Sequence, residues 1–472
     1  MNLSRLAGAG LTAALALGLL VPAAPALAAA QTCGGTGTPT TTTGTFADKA
    51  TYKIDCPAGT WNGTLFLYSH GYVAPTSPTN PAQDAGDPVT ASWLLGHGFA
   101  LAGSSYATTG WAIHEALPDQ IDTLDTFSQT FGAPTRTIAW GHSLGGIITA
   151  GLIQRYPDRF TAALPMCGVL SGGVATWNTA LDAEFAFQQL IDPSVQVVNI
   201  TDGKTNLAGA EAAAAQAQQT PQGRARLALA AALSDTPGWF TPLSPEPAPG
   251  DAAAQEANQF QWETQVDFPF IFAFRQELEI RAGGNPSWNT GVNYVSDLAH
   301  SADLREVIAL YHAAGLSLSK DLATLSHAPR VSASPASVGY LAQNIAFNGQ
   351  IRIPVLAMHT TGDGLVVPEN EQAYRSVVNR AGNGRLLAQI FVHRAGHCTF
   401  TPAETITAVQ ALLSRLGTGR WGPLDPATLN SQAAALGPAY NIFEVNNQVQ
   451  AVPPAFIRFR PPPYLRPFDL SS

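Results

Sequence analysis

The 472-residue chain is 46% hydrophobic, only 12% charged, and carries a formal net charge of −9. Such a composition suits a packed globular core and excludes a disordered, charge-solvated chain. The lysines are Lys49, Lys53, Lys204 and Lys320 and the arginines are scattered, so no basic stripe exists to displace counterions from a nucleic acid.

Residues 1–30 have the layout of a secretory signal peptide. Arg5 precedes a Leu/Ala/Gly run, Pro22 and Pro25 break it, and Ala26-Leu27-Ala28 or Ala28-Ala29-Ala30 offers a small-residue cleavage site. No later segment reaches about 18 uninterrupted apolar residues, so a secreted, soluble chain without stable membrane insertion is expected, its oligomeric state open. Residues 31–45, rich in Thr and Gly, read as a flexible lead-in. Strands and helices then alternate. Strands are expected at 64–68, 99–103, 137–140 and 160–166, and helices at 89–95, 113–131 and 144–156. This alternation implies crossover connections and a mostly parallel sheet flanked by helices.

The pattern lapses over 171–350, which reads as a mainly helical cap or lid. It has an Ala/Gln-rich helix at 207–233, a Pro-rich loop at 236–250, and an aromatic stripe at 260–280. It resumes with strands at 353–358 and 387–392 and a helix from 368. Thr401 and Glu404 form a capping box, with Pro402 at the first helical position. The domains are therefore the signal at 1–30, a core in two parts at 31–170 and 351–419, the cap at 171–350, and a Pro-rich strap at 420–472, expected to be extended.

The chemistry centres on Gly141-His142-Ser143-Leu144-Gly145, between an expected strand and an expected helix. A serine projected from a sharp strand-to-helix turn needs small neighbours, because side chains at Gly141 and Gly145 would strike the adjoining strand and helix. Ser143 is thus the candidate nucleophile. A hydroxyl is weak without a base. His397, in a loop after the last strand, can reach back over the strand ends, whereas His393 abuts its strand. Asp363, between Gly362 and Gly364, is the candidate carboxylate; Asp182, Glu184 and Asp192 are the rivals. The order Ser143, Asp363, His397 is that of an α/β-hydrolase triad.

Together with His70-Gly71, these marks resemble the serine α/β-hydrolase superfamily over residues 61–167 and 351–417. The resemblance implies the α/β-hydrolase fold, no cofactor and no metal. It also implies an oxyanion hole from the backbone N–H of Leu144 and of Gly71 or Tyr72. Tyr106, Trp111, Trp288 and Tyr294, with His142, are candidates for the substrate pocket. His97, His114, His300, His312, His327 and His359 read as surface or packed histidines.

In an exported chain the four cysteines are expected in disulfides, with three pairings open. Cys33 with Cys56 would staple the N-terminal segment and leave Cys167 with Cys398. The chain is also similar in size to the tannase and feruloyl esterase group, which joins a cysteine before the nucleophile to one after the base. Cys398 matches the second, position 142 is His, and Cys167 would supply the partner.

The expected activity is hydrolysis of a small carboxylic ester, rising as His397 becomes neutral at about pH 6 to 7. A peptidase acting on short peptides is the alternative, with Glu184, Glu277 and Glu279 candidates to hold a charged terminus. Acyl transfer to an alcohol, or a catalytically silent binding protein, are the further readings.

Overall fold

The computed structural model describes residues 31–445 and 448–468; residues 1–30, where a signal peptide is expected, lie outside the described residues. In chain order the strands are β1 (Thr40–Thr45), β2 (Thr51–Cys56), β3 (Thr64–Ser69), β4 (Ala100–Ser104), β5 (Arg136–His142), β6 (Ala162–Met166), β7 (Val355–Gly362), β8 (Leu387–Ala395), β9 (Ile442–Val445), β10 (Gln448–Ala451) and β11 (Phe456–Ile457). One nine-stranded sheet has the order β1-β2-β4-β3-β5-β6-β7-β8-β11, and β9 and β10 form a separate hairpin. The six strands from β4 to β8 in that order are parallel. The pairs β1–β2, β2–β4 and β8–β11 are antiparallel.

Both faces of the parallel region are covered, which is why β3, β4 and β6 are buried at every residue. One face packs under the helices Ile113–Phe131 and Leu144–Arg155. The other packs under Pro88–Gly96, Pro402–Thr418 and Pro426–Ala435. Alternation along β5 sends Ala139 to the first face and Ile138 and Trp140 to the second. Between β6 and β7 the chain is helical and builds a third apolar cluster around Phe185, Phe187, Leu229, Phe268 and Tyr311.

Several expectations are corrected. The lead-in is not irregular throughout: Thr40–Thr45 pairs with Thr51–Cys56, as β-branched threonines favour an extended edge. The helix expected at 207–233 is two, Gly203–Ala217 and Pro221–Ala232, because Thr220 caps a new start and Pro221 occupies its first position. The aromatic stripe is not a regular helix either. The helix Ala252–Trp262 widens into π-helical turns over Glu263–Asp267 and Pro269–Phe274 before Arg275–Ala282. Pro269 has no N–H for an α-type bond and its ring crowds the preceding turn. The expected extended strap holds the helix Pro426–Ala435, capped by Asp425, and adds β11 to the sheet edge.

Candidate active site

Strand β5 ends at His142 and a helix begins at Leu144, so Ser143 is the single residue of the turn. Its φ of 58° and ψ of −124° are a left-handed conformation that a non-glycine residue adopts only where its surroundings impose it. The constraint is visible in the packing. A methyl at Gly145 would overlap the carbonyls of Ser69 and His70, and one at Gly141 would overlap that of Ser69. The Ser143 N–H donates to the Met166 carbonyl at 3.1 Å, binding the turn to the end of β6. Gly71, at the end of β3, comes so close that a β-carbon there would lie 3.4 Å from Ser143 Cβ.

His397 Nδ1 lies 2.7 Å from Asp363 Oδ2. Asp363 follows β7, is fully buried, and also accepts the Val366 N–H at 3.0 Å through Oδ1. Burial alone would push its carboxyl up; His397 and His359 beside it outweigh burial and hold it below the usual carboxylate range. The Asp363 bond requires the proton of a neutral His397 on Nδ1, leaving Nε2 as the basic nitrogen. Nε2 is 3.3 Å from Cys398 Sγ. Among the described residues no hydrogen bond joins Ser143 to His397, but two links hold them together. Met166 carries the Ser143 N–H, and the next residue, Cys167, is disulfide-bonded to Cys398 with the α-carbons 5.4 Å apart. Cys33 is bonded to Cys56.

A cavity of about 130 Å³ opens on Ser143, walled by Tyr72, Trp111, Leu144 and Trp177 and, from the helical insertion, Phe268 and Phe270. That volume is close to what one aromatic ring fills. Leu144 and Tyr72 thus share the wall with the nucleophile. Of the pocket candidates Trp111 lies on this wall, and the others have been placed elsewhere. His142 packs against Tyr68, Trp140 and Phe400, its Nδ1 3.1 Å from Tyr68 Oη. Burial, then His397, lowers the His142 pKa to about 4. Tyr106 stacks on His70 and donates to its carbonyl at 3.0 Å, bracing the end of β3. Tyr294 is buried in the insertion, its hydroxyl 3.0 Å from Asp182, and Trp288 packs against Phe468.

The acids expected to meet a charged terminus are engaged internally. Glu184 and Glu279 face Arg275 at 3.5 and 3.3 Å, and Glu277 faces Arg281 at 2.6 Å. Glu263, Asp267 and, from the strap, Tyr464 line the cavity instead, and none of them was a candidate from sequence. Glu263 is 6% exposed and its Oε2 has no hydrogen-bond partner. Burial first, and neighbouring carboxylates second, keep both acids protonated well above the usual range. An acid pair four residues apart inside an aromatic stripe was the available signal. Cys167, His397 and Cys398 place their ligand atoms within 4.8 Å of one another. Both sulfurs are in a disulfide, though, and a metal needs thiolates.

Residues 97–189, which include the elbow, match the model of the prolyl oligopeptidase family of peptidases. The chain is a serine α/β-hydrolase. Across 425 residues this hydrolase is 29% identical to an o-phthalyl amidase of Xanthobacter agilis, covering 83% of its own length and 90% of the relative's. Among solved structures it is similar to an esterase from Aspergillus oryzae, at 15% identity and a TM-score of 0.39 over 79% of the hydrolase and 78% of that chain. It is also similar to the rice cell wall degrading esterase LipA from Xanthomonas oryzae, at 13% identity and a TM-score of 0.35 over 80% of the hydrolase and 88% of that chain.

Proposed function

We propose that this hydrolase is exported and cleaves carboxylic esters through an acyl-enzyme on Ser143, with His397 as base and Asp363 as the carboxylate that orients it. The observation that carries the reading is the 2.7 Å His397–Asp363 bond, tied by a disulfide to the strand that carries the backbone of a left-handed Ser143. Ser143 Oγ attacks the ester carbonyl while His397 Nε2 takes its proton. The oxyanion is met by the Leu144 N–H, in the unpaired first turn of a helix, and by an N–H of Gly71 or Tyr72. His397 then returns the proton to the departing alcohol. Water, activated by the same nitrogen, releases the acid. The ring-sized aromatic cavity suits a short or aromatic acyl group. Two disulfides, and the absence of any long apolar helix among the described residues, are compatible with export. The test is initial-rate hydrolysis of p-nitrophenyl butyrate beside a folded Ser143→Ala variant. Turnover by the parent alone supports the reading, and equal rates refute it.

A second reading, cleavage of an amide in a substrate bearing a protonated amine, is favoured by Glu263 and Asp267 on a cavity wall that includes no Lys, Arg or His. The amidase relative accords with the amide bond, and not with the amine. An unpartnered buried carboxyl is costly, and an ammonium would pair with it. Aminoacyl anilides should then be cleaved faster than their N-acetyl forms, and Glu263→Gln should erase the difference. Preference for the acetylated substrate would dismiss this reading while leaving ester cleavage standing.

A further inference from the structure

His359 lies on β7, four residues before Asp363, and is fully buried. Its Nε2 is 2.7 Å from the Val366 carbonyl and 3.6 Å from Asp363 Oδ2. Its Nδ1 is 3.3 Å from Oε1 of Glu371, another fully buried side chain. A carbonyl can only accept, so Nε2 must carry a proton. Gln389 donates its amide N–H to the other Glu371 oxygen, so that oxygen accepts. With Glu371 ionised, Oε1 accepts as well, so Nδ1 must also carry a proton, and a neutral imidazole has only one N–H to give.

We propose that His359 is held as a buried imidazolium and is a positioning residue for the reaction, fixing the Asp363 carboxylate and setting the pH at which His397 becomes a base. The inference rests on His397 being that base. His359 and His397 approach the same oxygen of Asp363. The cation therefore offsets part of the negative charge that would favour a protonated His397. Burial opposes a charged His359, but the Asp363 and Glu371 carboxylates beside it outweigh burial and raise its pKa to about 10. The other charged or titratable groups facing this cluster are Glu369, toward His359; Asp267, toward Asp363; Arg375 and Tyr374, toward Glu371; and His142, toward His397. Burial raises the carboxyls of Glu369 and Asp267 well above the usual range and lowers the His142 imidazole, so His359 is the resident cation beside Asp363.

The test is the pH profile of kcat/KM for p-nitrophenyl butyrate with His359→Gln. Losing a positive neighbour raises the pKa of His397, so the acid limb should move up by about one pH unit. Above the limb the rate should return toward the parent's. A residue that only fills space would lower the rate at every pH with the limb in place, and that result would overturn the proposal. Should the variant not fold, 15N NMR of the histidine-labelled parent gives the answer directly. One ring should keep both nitrogens protonated and not titrate between about pH 5 and 9. A neutral tautomer at His359 would overturn the proposal even if Ser143 and His397 prove catalytic. If Ser143→Ala shows instead that the catalytic reading fails, the NMR result still decides whether the imidazolium exists.

Discussion

Removing the Cys167–Cys398 disulfide should cost both stability and activity, and the two costs have separate origins. The bond closes a segment of 231 residues, and Cys33–Cys56 closes one of 23. If the cross-links act by restricting the unfolded chain, loop-closure entropy gives about 5 kcal/mol for the longer and about 3 kcal/mol for the shorter. The tenfold ratio of lengths alone makes a difference of about 2 kcal/mol. The assay is urea unfolding of Cys167→Ser/Cys398→Ser and of Cys33→Ser/Cys56→Ser beside the parent. The denaturant slope should also rise more in the first variant, because its unfolded chain is less constrained. On the activity side Cys398 adjoins His397, and Cys167 adjoins the residue that holds the Ser143 N–H. A loop free to shift by about 1 Å costs about 100-fold in rate, so kcat/KM should fall by that order in the first variant and hardly at all in the second. Equal stability losses would refute the entropic account. Full activity without the Cys167–Cys398 bond would refute its role in holding the base.

Asp363→Asn should lower kcat by about 10,000-fold with little change in KM, measured by steady-state hydrolysis, because the amide no longer fixes the tautomer of His397. Gly145→Ala should cost about 1–3 kcal/mol in urea unfolding and abolish turnover, since the added methyl meets the rigid carbonyls of Ser69 and His70. Acid should destabilise the protein through His142, whose folded pKa of about 4 lies below the ordinary imidazole value of 6.5. The unfolded state binds the proton first, so the stability contributed by neutral His142 is complete above pH 6.5 and is lost as the pH falls toward 4, at most about 3 kcal/mol. His142→Gln should flatten that part of the stability curve.

The strand-to-helix elbow at Ser143 was legible in the chain because its determinants are local. A run of β-formers, two glycines where any side chain collides, and an apolar helix behind them leave one conformation. The parallel sheet followed from the same alternation, and the left-handed serine from the glycines on either side of it. Thr401, Pro402 and Glu404 likewise announced their own capping box, which forms as expected. What sequence could not supply was which distant groups meet. In the chain Glu184, Glu277 and Glu279 are carboxyl side chains like Glu263 and Asp267, yet their arginine partners sit within reach only because of how the insertion folds. His359 reads as one dispersed histidine among several until β7, the Glu369–Arg380 helix and the Asp363 loop close around it. Tyr464 reaches the cavity wall from the far end of the chain. Local propensity and sterics act over a few residues and are written in the chain in order. The pairing of charges, and the lining of a cavity, depend on burial and on neighbours far apart in sequence, and only the packed tertiary structure decides them.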